Sequence, residues 1–254
     1  MTLAVVMPYL LAFCLVLIRC SGLFMMVPTL GGELVPVRMR GAVAATVAVV
    51  LTPMVEPVTC PGLLMLFLAA AGELLMGVAM GLVVRLVLLS AELAGEVAGM
   101  QMGFAFNRVA DPLTREPAAV TSRMLGIIAL LLFLAIDGHH ILLAGLSGSL
   151  REAPVGTVLP RASYAANLFP LLSLAMTSGL RIAAPVMIAL LLTNCAIGLL
   201  ARAAPQLNLF IFAFGITIAI GMLMLTTSVG PSLNMVLGHI RRLPDYLTAV
   251  VAGG

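Results

Sequence analysis

The chain has 254 residues, of which 62% are hydrophobic and 9% charged, with a mean hydropathy of +1.21. A soluble domain carries roughly 25% charged residues, so a free cytosolic enzyme is excluded for want of polar surface. The apolar content and a net charge of only +3 exclude disorder and a nucleic-acid face, which leaves an integral membrane protein.

Residues 2–18 carry no charge and predict a first helix. No basic segment precedes this apolar run, as it would in a cleaved signal peptide, so the helix is expected to be retained. Arg19 interrupts a run that resumes to Leu30, and Gly31, Gly32 and Pro36 then predict a loop. A second run, 41–52, ends at Pro53, with Pro57 and Pro61 forming a connector because proline disfavours helix at and before its own position. A long third helix starts near Gly62 and carries Glu73, Arg85, Glu92 and Glu96 before fraying toward Asp111-Pro112. Residues 124–136 are uncharged, Asp137, His139 and His140 intervene, and 141–150 is apolar again. Two runs follow, 162–180 and 182–201, separated by Arg181. Residues 203–240 carry no charge at all; at ~1.5 Å per residue they would extend on the order of 57 Å as one helix, so breaks are expected at Pro205 and at Gly230-Pro231.

Charges fall where a conventional spanning bundle would not put them. Arg19, Glu73, Arg85 and Asp137 interrupt what would be mid-span, at ~2.5–3.5 kcal/mol each at a bilayer centre. All 13 basic residues are Arg, and Trp, the usual interfacial anchor, is absent. On the third helix, Arg85, Glu92 and Glu96 fall within roughly 20° of one line. The same helix carries Gly77 and Gly81, then Gly95, Gly99 and Gly103, at the four-residue spacing that lets helix backbones approach closely. Two uses fit such faces: packing within the chain, or burial against other subunits.

Patterns that could carry chemistry are few. Cys14, Cys20, Cys60 and Cys195 lie among apolar neighbours without C-x-x-C spacing, so neither a metal site nor a redox pair is indicated. Gly145-Leu146-Ser147-Gly148 matches the G-x-S-G of rhomboid proteases, with His239 downstream as the one available base. The oxyanion-side His and Asn and the Trp-Arg loop signature of those enzymes are missing, and close packing explains a Ser between two glycines. His139 and His140 are adjacent, so on a helix they leave the axis ~100° apart and are not expected to chelate one ion together. With Asp137 and Gly138 they mark a polar helix end; a proton relay is the other use. No catalytic residues, metal or cofactor are therefore expected. Gly103 to Pro112, G-F-A-F-N-R-V-A-D-P, is a bulky apolar loop following the charged, glycine-rich helix. It suits an apolar pore constriction or a plain interhelical turn.

Several stretches together resemble one family. They are R-x-x-G-L-F-M-M-V-P-T-L-G-G from Arg19 to Gly32, V-P-V-R-M-R from Val35 to Arg40, and L-T-P at Leu51 to Pro53. A-G-E-L-L-M-G-V-A-M-G at Ala71 to Gly81 and A-G-E-V-A-G-M-Q-M-G-F-A-F at Ala94 to Phe106 belong with them. Asp111-Pro112, L-L-F-L-A-I-D-G-H-H at Leu131 to His140 and A-P-Q-L-N-L-F at Ala204 to Phe210 complete the set. In this order they are similar to the FliR family, whose injectisome counterpart is SctT.

The resemblance implies an all-α subunit of a FliP–FliQ–FliR export gate in the flagellar type III secretion apparatus. Its helical hairpins would pack in a spiral hetero-oligomer, drawn largely out of the bilayer plane, and not in a lipid-facing bundle. It further implies one domain over 1–254, about 1–170 similar to FliP and about 171–254 to FliQ. Expected partners are FliP, FliQ, FlhB, unfolded export substrates and membrane lipid; the expected location is the bacterial inner membrane at the flagellar basal body. The family's plug loop falls on Gly103 to about Ser122, which carries that role to Gly103, Phe104, Phe106, Asn107, Asp111 and Pro112. Arg19, Glu73, Arg85, Glu92, Glu96, Asp137 and Arg181 become buried or subunit-packing charges; family members often have Gln near Glu96. The alternative from the residues themselves is a stand-alone secondary transporter using Arg85, Glu92, Glu96 and Asp137 as an ion pathway.

Overall fold

Long apolar stretches satisfy their own backbone hydrogen bonds only as helices once water is excluded, and the described residues of this chain are helical with no strand. The structure is a computed structural model that describes residues 2–27, 36–58, 62–104, 120–157, 163–203 and 209–251. In chain order the helices are α1 (Thr2–Met26), α2 (Val37–Leu51), α3 (Leu63–Gln101), α4 (Val120–Ala135), α5 (Gly138–Glu152), α6 (Ser163–Ala203), α7 (Leu209–Arg241) and α8 (Leu243–Val251). A single 3-10 turn, Thr52–Met54, follows α2 with Pro53 inside it.

Two expectations about breaks are corrected. Arg181 does not divide its neighbourhood: 162–180 and 182–201 fuse into the 41-residue α6. One Arg on an exposed helix face costs little helix propensity, and only the hydropathy pattern suggested a boundary. Likewise α7 continues through Gly230-Pro231 to Arg241. Proline removes one backbone donor, but hydroxyls around it bond back along the helix: Thr227 Oγ1 donates to Leu223 O (3.1 Å), Ser228 Oγ to Leu225 O (3.1 Å) and Ser232 Oγ to Ser228 O (2.6 Å). None of these three bonds reaches Thr227 O, the carbonyl that Pro231 frees; they brace the flanking turns of the helix.

Length sets the relation to a membrane. At ~1.5 Å per residue, α3 and α6 are each about 60 Å long, twice the ~30 Å hydrocarbon core. Among the described residues, five helical stretches are long and apolar enough to cross, and α4 and α5 are separated by a break at residues 136–137. In α3 the most apolar 18 residues are 67% buried, against 17% for Val37–Met54 and 17% for the most apolar 18 residues between Phe212 and Val251. The latter two therefore present apolar faces that lipid or other protein has to cover.

The chain forms two compact units, with boundaries inside the long helices. The first comprises Met1–Leu86, Leu134–Leu172 and Ile240–Gly254. Its core is built from α1, α2, the start of α3, α5 and α8, with Leu15, Val16, Leu23, Met76, Met80, Leu146, Leu243 and Leu247 almost fully buried. The second comprises Val87–Phe133 and Ser173–His239. Its core is lined by small residues, among them Ala91, Ala94, Ala98, Ala129 and Ala183, with Phe133, Met102 and Leu190 as the large members. Two small apolar pockets among its described residues measure about 10 and 20 Å³.

Candidate functional site

In the first unit the site begins with a glycine seam. Gly22 on α1 faces Gly77 and Gly81 on α3, and no side chain fits between the helices. A Cβ on Gly77 would overlap the carbonyl oxygen of Arg19, one on Gly81 would lie 2.5 Å from Leu23 O, and one on Gly22 would lie 2.8 Å from Leu74 O. This approach positions Arg19 over Glu73, one helical turn before Gly77.

Both charges are fully enclosed, each side chain having 0% exposure. Arg19 Nε donates to Glu73 Oε2 at 2.5 Å, Nη1 to Ser149 O (3.0 Å) and Ser149 Oγ (3.1 Å), and Nη2 to Ala153 O (2.9 Å). Ser149 Oγ in turn donates to Leu146 O at 2.7 Å. The guanidinium thus caps the carbonyl end of α5, where a cation is favoured. The second carboxylate oxygen, Glu73 Oε1, accepts the Gly156 N–H at 3.0 Å. Gly156 has φ +85°, and a Cβ there would meet Val58 Cγ1 at 2.8 Å, so only glycine both turns the chain and leaves that space. Val58 N–H donates to Pro8 O (3.3 Å), which ties the connector after α2 to the start of α1. One buried ion pair therefore joins α1, α3, the end of α5 and the turn after it, with each guanidinium nitrogen and both carboxylate oxygens hydrogen-bonded. For Arg19 and Glu73 the pairing is within the chain.

In the second unit a similar seam joins α3 and α4. A Cβ on Gly95 would fall 2.5 Å from both Ser122 Cα and Thr121 O, and one on Gly126 would fall 2.9 Å from Glu92 Cγ. Thr121 Oγ1 donates to Gly95 O (2.6 Å) and Ser122 Oγ to Glu92 O (2.8 Å). Glu92 and Glu96 are half-buried, each with a polar partner. Gly99 supplies a carbonyl to the helix end, as follows.

Helix α3 stops through a Schellman motif. Gly103 N–H donates to Met100 O (3.1 Å) and Phe104 N–H to Gly99 O (3.0 Å), with Gly103 at φ +87°. A Cβ on Gly103 would lie 2.9 Å from Phe214 Cε2 of α7, and one on Gly221 would meet the Met102 side chain at 2.6 Å. The chain is therefore turned out of α3 at a fixed angle, with Phe104 half-buried just beyond. Phe106, Asn107, Asp111 and Pro112 lie outside the described residues.

The remaining charges are displayed. Arg85 and Arg181 are exposed, and so is Asp137, at the α4–α5 elbow. Asp137 has φ +57°, a conformation that Asp tolerates better than most residues. Its carbonyl accepts the N–H of His140 (2.9 Å) and Ile141 (3.2 Å), starting α5. The ligand atoms of Asp137, His139 and His140 all lie within 4.8 Å of one another. Adjacent helical Cβ atoms do diverge by ~100°, but the imidazoles are long enough to swing back over the elbow.

In the G-x-S-G stretch Gly145 packs closely, while nothing lies within 4 Å of a Cβ on Gly148. A Cβ on Gly145 would lie 2.7 Å from Leu247 Cδ1 of α8, and Ser147 Oγ donates to Ala144 O at 2.9 Å. His239 Nε2 lies 2.9 Å from Ser178 Oγ. Among the residues that sequence reasoning missed, Ser122 and Gly126 carry a readable signal, a small-x-x-x-small spacing. Ser149, Ala153 and Gly156 carry none, because their contribution is mostly backbone carbonyl and N–H.

Residues 10–243 match the family described as bacterial export proteins, family 1. The flagellar biosynthetic protein FliR of Escherichia coli (strain K12) is 31% identical over 208 residues, 81% of this chain and 79% of the relative. FliR of Bacillus subtilis (strain 168) is 30% identical over 221 residues, 84% of each chain. FliR of Caulobacter vibrioides is 28% identical over 240 residues, 92% of this chain and 94% of that one. With a match over nearly its whole length, this chain belongs to family 1 of the bacterial export proteins.

Proposed function

We propose that the chain is an export-gate subunit of the flagellar type III secretion apparatus. It would form, with FliP and FliQ and beside FlhB, the gated channel through which unfolded flagellar proteins cross the bacterial inner membrane at the basal body. The observation that carries this reading is similarity to FliR proteins along nearly the whole chain, including 94% of the Caulobacter relative. Physical support comes from helices about twice the thickness of a bilayer core and from apolar faces that the chain leaves uncovered. In this role the protein binds and gates and leaves chemistry to other components. The stretch leaving α3 at Gly103 is the plug, with Phe104, Phe106, Asn107, Asp111 and Pro112 closing the channel and Gly103 setting its direction.

Co-expression and solubilisation test the assembly: one particle containing FliP, FliQ and this chain is expected. A stable monomer that conducts small solutes by itself would refute the reading in favour of a secondary transporter. The plug is tested by conductance: replacing Phe104 and Phe106 together by Gly should make the assembled gate leak ions, and unchanged conductance would remove their role.

A further inference from the structure

We propose that Asp137, His139 and His140 form a binding site for a divalent transition-metal cation of the zinc class at the elbow between α4 and α5. The proposal stands apart from the export reading, since it rests on three side chains and one backbone turn.

The ligand set is of the right chemistry. Two imidazoles and one carboxylate are the donors that zinc, cobalt and nickel prefer, with further positions open to water or to a donor from another protein. The geometry is close to that required. Asp137 Oδ1 lies 3.3 Å from His140 Nδ1 and 4.0 Å from His139 Nε2, and the ring centroids of the two histidines are 4.2 Å apart, tilted by 43°. Around a tetrahedral ion with bonds of ~2.0–2.1 Å, ligand atoms sit about 3.3 Å apart. One pair is already at that separation, and the others, at 4.0 Å and at most 4.8 Å, close by up to about 1.5 Å through rotation of side chains whose exposure is 47% to 73%.

The backbone holds the three residues in register while the side chains stay free to adjust. The left-handed conformation of Asp137 and the N–H bonds of His140 and Ile141 to its carbonyl place all three on the first turn of α5. Within this first unit the cluster is exposed, so an ion can reach it without opening the core. Once bound, the ion would link the capping residue Asp137 to the first turn of α5.

The test uses the full-length chain carrying an affinity tag without histidine, purified in detergent. Zn²⁺ is titrated in competition with a chromophoric chelator, and Co²⁺ is followed by its visible d–d absorption. One Zn²⁺ per chain is expected, with affinity at least about ten-fold weaker in the variant H139Q/H140Q. D137N should weaken binding too while keeping the backbone, since Asn shares the left-handed preference of Asp. H239Q and C14S/C195S should bind as the parent does. Size-exclusion and circular dichroism profiles should be unchanged in all variants. Parent affinity no tighter than that of H139Q/H140Q would overturn the proposal and leave the cluster as hydrogen bonds at a helix start. Loss of binding in C14S/C195S would overturn it in favour of the exposed cysteines.

Discussion

Removing one partner of the Arg19–Glu73 pair is the severest single change the structure points to. With both side chains at 0% exposure, Arg19→Ala leaves a carboxylate enclosed without its cation and Ala153 O without its guanidinium donor. Breaking a buried pair in this way costs about 3–5 kcal/mol. At about 2–4 °C per kcal/mol for chains of this size, the melting temperature should fall by roughly 6–20 °C. The apolar pair Arg19→Met with Glu73→Leu should recover most of that, because no charge is then stranded. It should still lie about 1–3 kcal/mol below the parent, because the Gly156 N–H that Glu73 Oε1 accepts loses its partner. Arg19→Lys should fall between, since one ammonium cannot serve Glu73, Ser149 and Ala153 together. The assay is built into the site. Cys20 is fully buried beside Arg19, so in a background with Cys14, Cys60 and Cys195 replaced by Ser, a fluorogenic thiol dye reports unfolding in detergent. A melting temperature for Arg19→Ala within about 2 °C of the parent would refute the reasoning. So would a double variant as unstable as the sum of its parts, since coupled partners have to deviate from additivity.

The seams and the helix stop give further expectations. Gly77→Ala should cost about 3 kcal/mol or more, because the new methyl meets backbone that cannot rotate away, and the same thiol assay reads it. Gly41→Ala is its control: nothing lies within 4 Å of that site on α2, so a gain of about 0.5–1 kcal/mol is expected. Gly103→Ala should cost about 1–2 kcal/mol for its left-handed φ and more for the contact with Phe214, with Gly103→Asn milder on the first count. A swarming assay should show Gly103→Ala impaired at normal protein level, and full motility would separate the helix stop from gating. Ser178→Ala should destabilise by about 0.5–1.5 kcal/mol through loss of its bond to His239, seen as a small drop in melting temperature.

What could be read in advance depended on whether the signal was local. The all-helical class, the long third helix and the seams at Gly77, Gly81 and Gly95 follow from composition and from the four-residue spacing of small residues, properties that need no tertiary partner. Element boundaries were less legible. Arg181 and Pro231 look like interruptions in hydropathy, yet backbone hydrogen bonding tolerates both, one on an exposed face and the other among hydroxyls that bond back along α7. The ion pair was half legible. Arg19 and Glu73 stood out as misplaced charges, but their partners at Ser149, Ala153 and Gly156 are 83 to 134 residues distant and mostly backbone. The polar helix end at Asp137-Gly138 was legible, but the closeness of its side chains was not, because a helical wheel describes Cβ directions and not where long imidazoles reach.

Sorting the charges by exposure also eases the difficulty that Arg19, Glu73 and Arg85 pose for a membrane protein. From Leu63 to Arg85 along α3 is about 33 Å, close to the ~30 Å of a hydrocarbon core. Glu73 lies near the middle of that length and is fully enclosed by its pairing, whereas Arg85, at the far end, is exposed. On α6 the exposed Arg181 and Arg202 likewise bracket about 30 Å of uncharged helix. The insertion penalty of ~2.5–3.5 kcal/mol applies to a charge facing lipid at mid-depth. Exposed charges at the ends of spanning lengths escape most of it, and a mid-span charge saturated by protein never meets lipid at all. Glu73 can therefore sit midway along a spanning length of α3 without facing lipid, and the glycine at position 77 is what brings the compensating Arg19 within reach.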